Sequence, residues 1–196
     1  MNQRNLLEVD WSKIPAPTDD GAAAHLVGMT VPPIGLVATD DTSVTLAALP
    51  GRTVVFAYPR TGEPGKISLV DDWDMIPGAR GCTPQTCAFR DLFAELKAAG
   101  AAQVFGLSTQ SDDYQAEMAS RLHLPFPVLS DEKLKLTRAL DLPTMEVAGL
   151  TLIKRLALIV DDGRIAHVFY PVFPPDRNAG DVLAWLKENP VIAKTP

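Results

Sequence analysis

The chain has 196 residues, of which 46% are hydrophobic and 21% charged, with a formal net charge of −6. That is enough apolar material for one sizeable core. The acidic balance argues against a nucleic-acid partner, and no apolar run approaches the length of a membrane-spanning helix.

The opening MNQRNLLEVD is polar and acidic and lacks the apolar core of a secretory signal. The expectation is a cytoplasmic protein with no membrane association. Residues 1–30, rich in Ala, Pro, Gly and Asp, read as an extended arm ahead of a single domain over residues 31–190. From Pro32 to Leu49 the pattern predicts two short strands around the Asp40-Asp41 turn. TVVFAYP, Thr53 to Pro59, is a continuous apolar run that fits a strand buried on both faces. Pro59 ends it, because proline cannot donate to a ladder.

Residues 60–81 carry no period and read as an inserted loop. Its Trp73 reads as exposed. A helix is predicted from Pro84 to Ala99, with Phe89, Leu92, Phe93 and Leu96 at helical spacing and Gly100 at its end. AQVFGLST predicts a second buried strand, residues 111–124 a helix with an acidic first turn, and FPVLSD a short strand. Residues 131–142 predict another helix. LIKRLALIVDDGRIAHVFYPV predicts a hairpin about an Asp-Asp-Gly turn, and Asp176 to Lys187 a closing helix with Val182, Leu183 and Leu186 inward. Strands alternating with helices, then an antiparallel pair, make an α/β fold: a mixed central sheet with helices on both faces.

The chemistry concentrates in GARGCTPQTCAFRD, which holds the two cysteines, Cys82 and Cys87. Thr83 suits a helix N-cap and Pro84 a first helical position. Cys82 would then sit at the positive end of the helix dipole, where a thiolate is favoured, with Arg80 close by. A thiolate is the nucleophilic form, so Cys82 is the candidate for attack. Two residues five apart in a regular helix have Cα atoms about 8.6 Å apart, from a rise of about 7.5 Å and a turn of about 140°. A disulfide spans at most about 7 Å, so bonding Cys82 to Cys87 requires the helix start to unwind. Two small buried thiols with no redox role would also fit the local sequence. A zinc site lacks ligands, since His123 and His167 stand on separate elements without ligand spacing. The four-residue gap excludes a C-x-x-C redox motif. No cofactor-binding or metal-binding motif is read.

VVFAYP, GCTPQTCAFRD, VFGLSTQ, FPVLSDE and RLALIVDDGRIAHVF, in this order, resemble the peroxiredoxins, nearest to the bacterioferritin-comigratory-protein or peroxiredoxin Q branch. The resemblance runs from about Pro32 to Leu186. It implies a thioredoxin-like three-layer sandwich and a thiol peroxidase. Cys82 matches the peroxidatic cysteine, which becomes a sulfenic acid. Cys87 matches the resolving cysteine, which closes an intramolecular disulfide that thioredoxin or a similar dithiol reopens. Arg155, in an apolar run from Leu152 to Val160, matches the arginine that faces the nucleophile. The substrate implied is hydrogen peroxide or an organic hydroperoxide, and the assembly a monomer or homodimer. The family sets Thr or Ser three residues before the nucleophile, where this chain has Ala79. Thr61, Ser68 and Thr83 are the hydroxyls available to replace it. Two alternatives stay open: a redox-responsive binding or sensor protein, whose surface would be the inserted loop and Trp73, and a thiol–disulfide carrier.

Overall fold

The computed structural model describes residues 9–191. In chain order its elements are β1 (Gly35–Ala38), β2 (Ser43–Thr45), β3 (Arg52–Ala57), α1 (Cys82–Asp91), α2 (Phe93–Ala98) and β4 (Gln103–Ser108). There follow α3 (Asp112–Arg121), β5 (Val128–Ser130), α4 (Lys135–Ala139), β6 (Thr144–Val147) and β7 (Leu150–Ile153). The chain closes with β8 (Leu156–Asp161), β9 (Arg164–Phe169) and α5 (Asn178–Glu188). Among the described residues, no helix is long and apolar enough to cross a membrane.

The main sheet runs β2-β1-β5-β4-β3-β8-β9, and β6 and β7 form a separate hairpin. β4 lies parallel to both β3 and β5, while the remaining pairs are antiparallel. This is the mixed sheet that the alternating pattern predicts. β3 is buried along all six of its residues. Val55 and Ala57 pack with Leu136 and Leu140 around α4, while Val54 and Phe56 face Phe89, Met118 and Val182 of α1, α3 and α5. The sheet is therefore the middle of three layers. The Asp-Asp-Gly turn between β8 and β9 has Asp162 and Gly163 at positive φ (47° and 79°), as a tight hairpin turn requires.

Phe89 fixes α1 on the sheet. Its ring stacks on Phe56 at 4.1 Å with the planes 5° apart. Burying a side chain of this size stabilises by about 2–3 kcal/mol, so the helix is held two turns beyond Cys82 while its first turn is left to other contacts.

Several elements differ from the sequence pattern. The helix predicted over residues 84–99 starts earlier and breaks at Leu92, which leaves helical geometry (φ −99°, ψ 11°). Beyond the break, Phe93 packs on Phe126. α4 is shorter than expected. The Asp131 carboxylate accepts from the backbone of Leu136 and Thr137 and from the Thr137 hydroxyl, and Leu134 sits at φ 55°. Residues 131–134 are therefore a side-chain-closed loop rather than a helical turn. The β6–β7 hairpin is not anticipated by the pattern at all. The arm reads as extended, but from Asp10 onward it is laid on the fold, with Leu26 fully buried. Its first eight residues lie outside the described residues.

Candidate active site

α1 begins at Cys82 itself, not after Thr83. Gly81 takes the N-cap with φ 105°, in the left-handed region, and its carbonyl accepts from the Gln85 amide at 3.0 Å. A side chain at Gly81 would meet Pro175 Cγ at 2.6 Å and Trp11 Cη2 at 2.7 Å. Both the backbone angle and the space select glycine here. Pro84 then falls in the first turn, where its missing N–H has no intrahelical acceptor to lose. The amides of Cys82 and Thr83 likewise have no acceptor within the helix.

Arg155 is not inside a strand. It stands at the bend between β7 and β8. It is 2% exposed, and the loop before α1 wraps its guanidinium. Nη2 lies 3.2 Å from Cys82 Sγ, 3.2 Å from the Gly78 and Ala79 carbonyls and 3.1 Å from that of Arg80. Nη1 donates to Gln85 Oε1, and Gln85 Nε2 donates to Asn178 Oδ1 at 2.9 Å. The acceptors around the cation are neutral oxygens and one sulfur. A thiolate at Cys82 would be its opposite charge. The Nε of Arg155 is buried and has no hydrogen-bond partner among the described residues. A cavity of about 220 Å³ is lined by Arg155, Gly78 and Pro77, together with Pro17 of the arm and Tyr170.

The structure thus brings together Cys82 and Arg155, two of the three residues singled out from sequence. Cys87 lies on the same helix and is 6% exposed. Both cysteines are free. Burial raises the Cys87 thiol above its ordinary value, with the Arg90 charge opposing this. It is therefore held as the neutral thiol. Arg80 does not join the sulfur. Its guanidinium pairs with Asp74 at 3.0 Å.

Of the three hydroxyls weighed for the missing threonine, Thr61 is engaged elsewhere. Its backbone N–H and its hydroxyl both donate to Gln110 Oε1, at 2.8 and 3.1 Å. Cys82 Sγ instead contacts the Ala79 carbonyl at 3.6 Å, besides Arg155. Trp73 is buried, packed with Ala79, Val147 and Leu152, so the expectation that it is exposed is wrong. That packing takes Trp73 out of any binding surface on the inserted loop, where Ile67 and Met75 are the exposed hydrophobic residues. His123 ends the turn after α3 at φ 51°, and His167 stacks on Trp185.

Sequence reasoning missed the buried amides. Gln85, Gln110, Gln115 and Asn178 are all at or below 5% exposure. Tyr58, at the end of β3, donates to Gln115 Oε1 at 2.8 Å, and Gln115 Nε2 donates to the Gln110 and Leu129 carbonyls. Burial raises the Tyr58 phenol well above its ordinary value, so it stays a neutral donor. A faint signal existed: Gln115 stands at helical spacing from the apolar Met118 and Leu122, which the structure buries.

A mixed sheet with a buried cysteine at a helix start, beyond the carboxyl ends of β3 and β4, defines a thioredoxin-like thiol protein. The Redoxin family model matches residues 26–183. The chain is 32% identical over 162 residues to the chloroplastic peroxiredoxin Q of Sedum lineare, covering 82% of this chain and 77% of that one. It is 32% identical over 167 residues to peroxiredoxin Bcp of Escherichia coli, covering 83% and 96%. Among solved structures, peroxidoxin BcpB from Mycobacterium tuberculosis superposes with a TM-score of 0.66 at 26% identity, covering 83% and 96% of the two chains. The chain belongs to the Redoxin family, and within it to the peroxiredoxins of Bcp and peroxiredoxin Q type.

Proposed function

We propose that this chain reduces hydrogen peroxide and organic hydroperoxides through Cys82, with Cys87 as the resolving thiol and thioredoxin or a similar dithiol as reductant. The observation that carries the reading is the 3.2 Å contact between Arg155 Nη2 and Cys82 Sγ at the start of α1. The guanidinium is in place to pair with the attacking sulfur, and its unpartnered Nε–H is a donor for a peroxide oxygen as negative charge develops there. The thiolate attacks one oxygen, an S–O bond forms and the O–O bond breaks. The leaving alkoxide or hydroxide takes up a proton and departs as alcohol or water. Cys82 is left as the sulfenic acid.

Cys87 then attacks the Cys82 sulfur. An S–S bond forms, the S–O bond breaks, and the hydroxide leaves as water with the Cys87 proton. In regular helix the two Cα atoms stand about 8.6 Å apart, so the first turn of α1 opens before this step. A dithiol restores both thiols by exchange and is itself oxidised to a disulfide. A reducing, cytoplasmic setting suits this cycle, with the protein acting as a monomer or homodimer.

Thioredoxin-coupled consumption of hydrogen peroxide and cumene hydroperoxide tests the reading. Wild type turns over, Cys82→Ser does not, and Cys87→Ser makes the sulfenic acid once without recycling. Equal, negligible turnover by wild type and Cys82→Ser removes the proposal.

A further inference from the structure

The unwinding that joins Cys82 to Cys87 must loosen Gly81, and Gly81 is covered by a residue from outside the matched family region. Trp11 precedes residue 26, where that match begins. It starts a short 3-10 turn, Trp11–Lys13, capped by Asp10. Its indole Nε1 donates to Asp176 Oδ2 at 2.9 Å, and its ring meets Phe173 edge-on with centroids 6.0 Å apart. The ring edge closes on the Gly81 Cα, leaving no room for a Cβ, while Pro175 closes it from another side. Pro17 of the same arm stands over Gly78, 3.6 Å from where a Cβ would lie.

We propose that Trp11 is a positioning residue for Cys82. It acts through Gly81, holding the first turn of α1 folded, and so sets how long the sulfenic acid waits for Cys87. This rests on the peroxidase reading above. The wait has a chemical consequence. A second hydroperoxide can oxidise the waiting sulfenic acid: its O–O bond breaks, one oxygen joins the sulfur, and alcohol or water leaves. The product is the sulfinic acid. A firmer Trp11 contact thus favours reaction with peroxide and slows disulfide closure.

The test compares full-length wild type, Trp11→Ala and Trp11→Phe. In the reduced proteins, the amide of Gln85, bonded to Gly81 in the first turn, reports opening by hydrogen exchange. Trp11→Ala is expected to exchange about tenfold faster there, with Trp11→Phe between it and wild type, because a phenyl ring lacks the Cη2 that meets Gly81 and the Nε1–H that bonds Asp176. After one equivalent of cumene hydroperoxide, rapid quenching and mass spectrometry read disulfide closure. Closure in Trp11→Ala is expected to be faster by a similar factor, with less sulfinic acid at excess peroxide. Unchanged Gln85 exchange, or unchanged partition between disulfide and sulfinic acid, overturns the proposal. Wild type that takes up no oxygen at Cys82 refutes the peroxidase reading instead, and Gln85 exchange still decides whether Trp11 holds the turn.

Discussion

Replacing Arg155 with methionine keeps most of the buried volume and removes the cation. Nη2 has two hydrogens to share among the Gly78, Ala79 and Arg80 carbonyls and Cys82 Sγ, and Nη1 supplies one bond to Gln85. Three bonds at about 1 kcal/mol each are lost, partly offset because a buried charge is no longer desolvated. Stability should fall by about 1–3 kcal/mol, which urea unfolding followed by circular dichroism measures. The reaction should suffer more. Removing one donor aimed at developing charge costs about 2.7–4 kcal/mol, or about 10²–10³-fold in rate. Stopped-flow measurement of sulfenic acid formation in a Cys87→Ser background reads this step alone. Arg155→Lys keeps the charge but loses the planar fork and should fall between the two. A folded Arg155→Met variant within about threefold of its parent would refute the role assigned to this guanidinium.

Gly81→Ala forces a side chain into the left-handed region and against Pro175 and Trp11, so it should destabilise by about 2 kcal/mol in denaturant unfolding and slow oxidation of Cys82. Burial raises the Cys87 thiol, so in Cys82→Ser its alkylation by iodoacetamide should remain slow at the ordinary thiol value of 9.0 and accelerate only above it. The unfolded chain loses that proton first, so this group's contribution to stability should fall as pH rises past 9.0, and Cys87→Ala should make the slope shallower, leaving the part due to the raised Tyr58 phenol. His167 has the opposite sign. Burial lowers its value from 6.5, so the unfolded chain binds the proton first and stability should fall as pH drops through 6.5. Thermal unfolding across pH 5 to 8 should show this slope in wild type and lose it in His167→Phe.

The central strands and the β8–β9 hairpin are legible in sequence because burial on both faces and a paired positive-φ turn are local patterns. Cys82 and Cys87 are legible by their spacing, and Arg155 by being charged within an apolar run. What is not legible depends on distant partners. Trp73 looks exposed because residues 60–81 have no period, yet it packs on Val147 and Leu152 of a hairpin whose own alternation is weak. The true helix start depends on the φ of Gly81, which Trp11 and Pro175 enforce from the two ends of the chain. The burial of Gln110 and Gln115 depends on Thr61 and Tyr58, partners 49 and 57 residues away in the chain.

The most direct test of the central claim is mass spectrometry of the peptide spanning Cys82 and Cys87 after one equivalent of hydroperoxide. The account predicts loss of two hydrogens, reversed by thioredoxin, and absent in either single Cys→Ser variant. An unmodified dithiol, or a Cys82 sulfenic acid that persists beside a free Cys87, would contradict it.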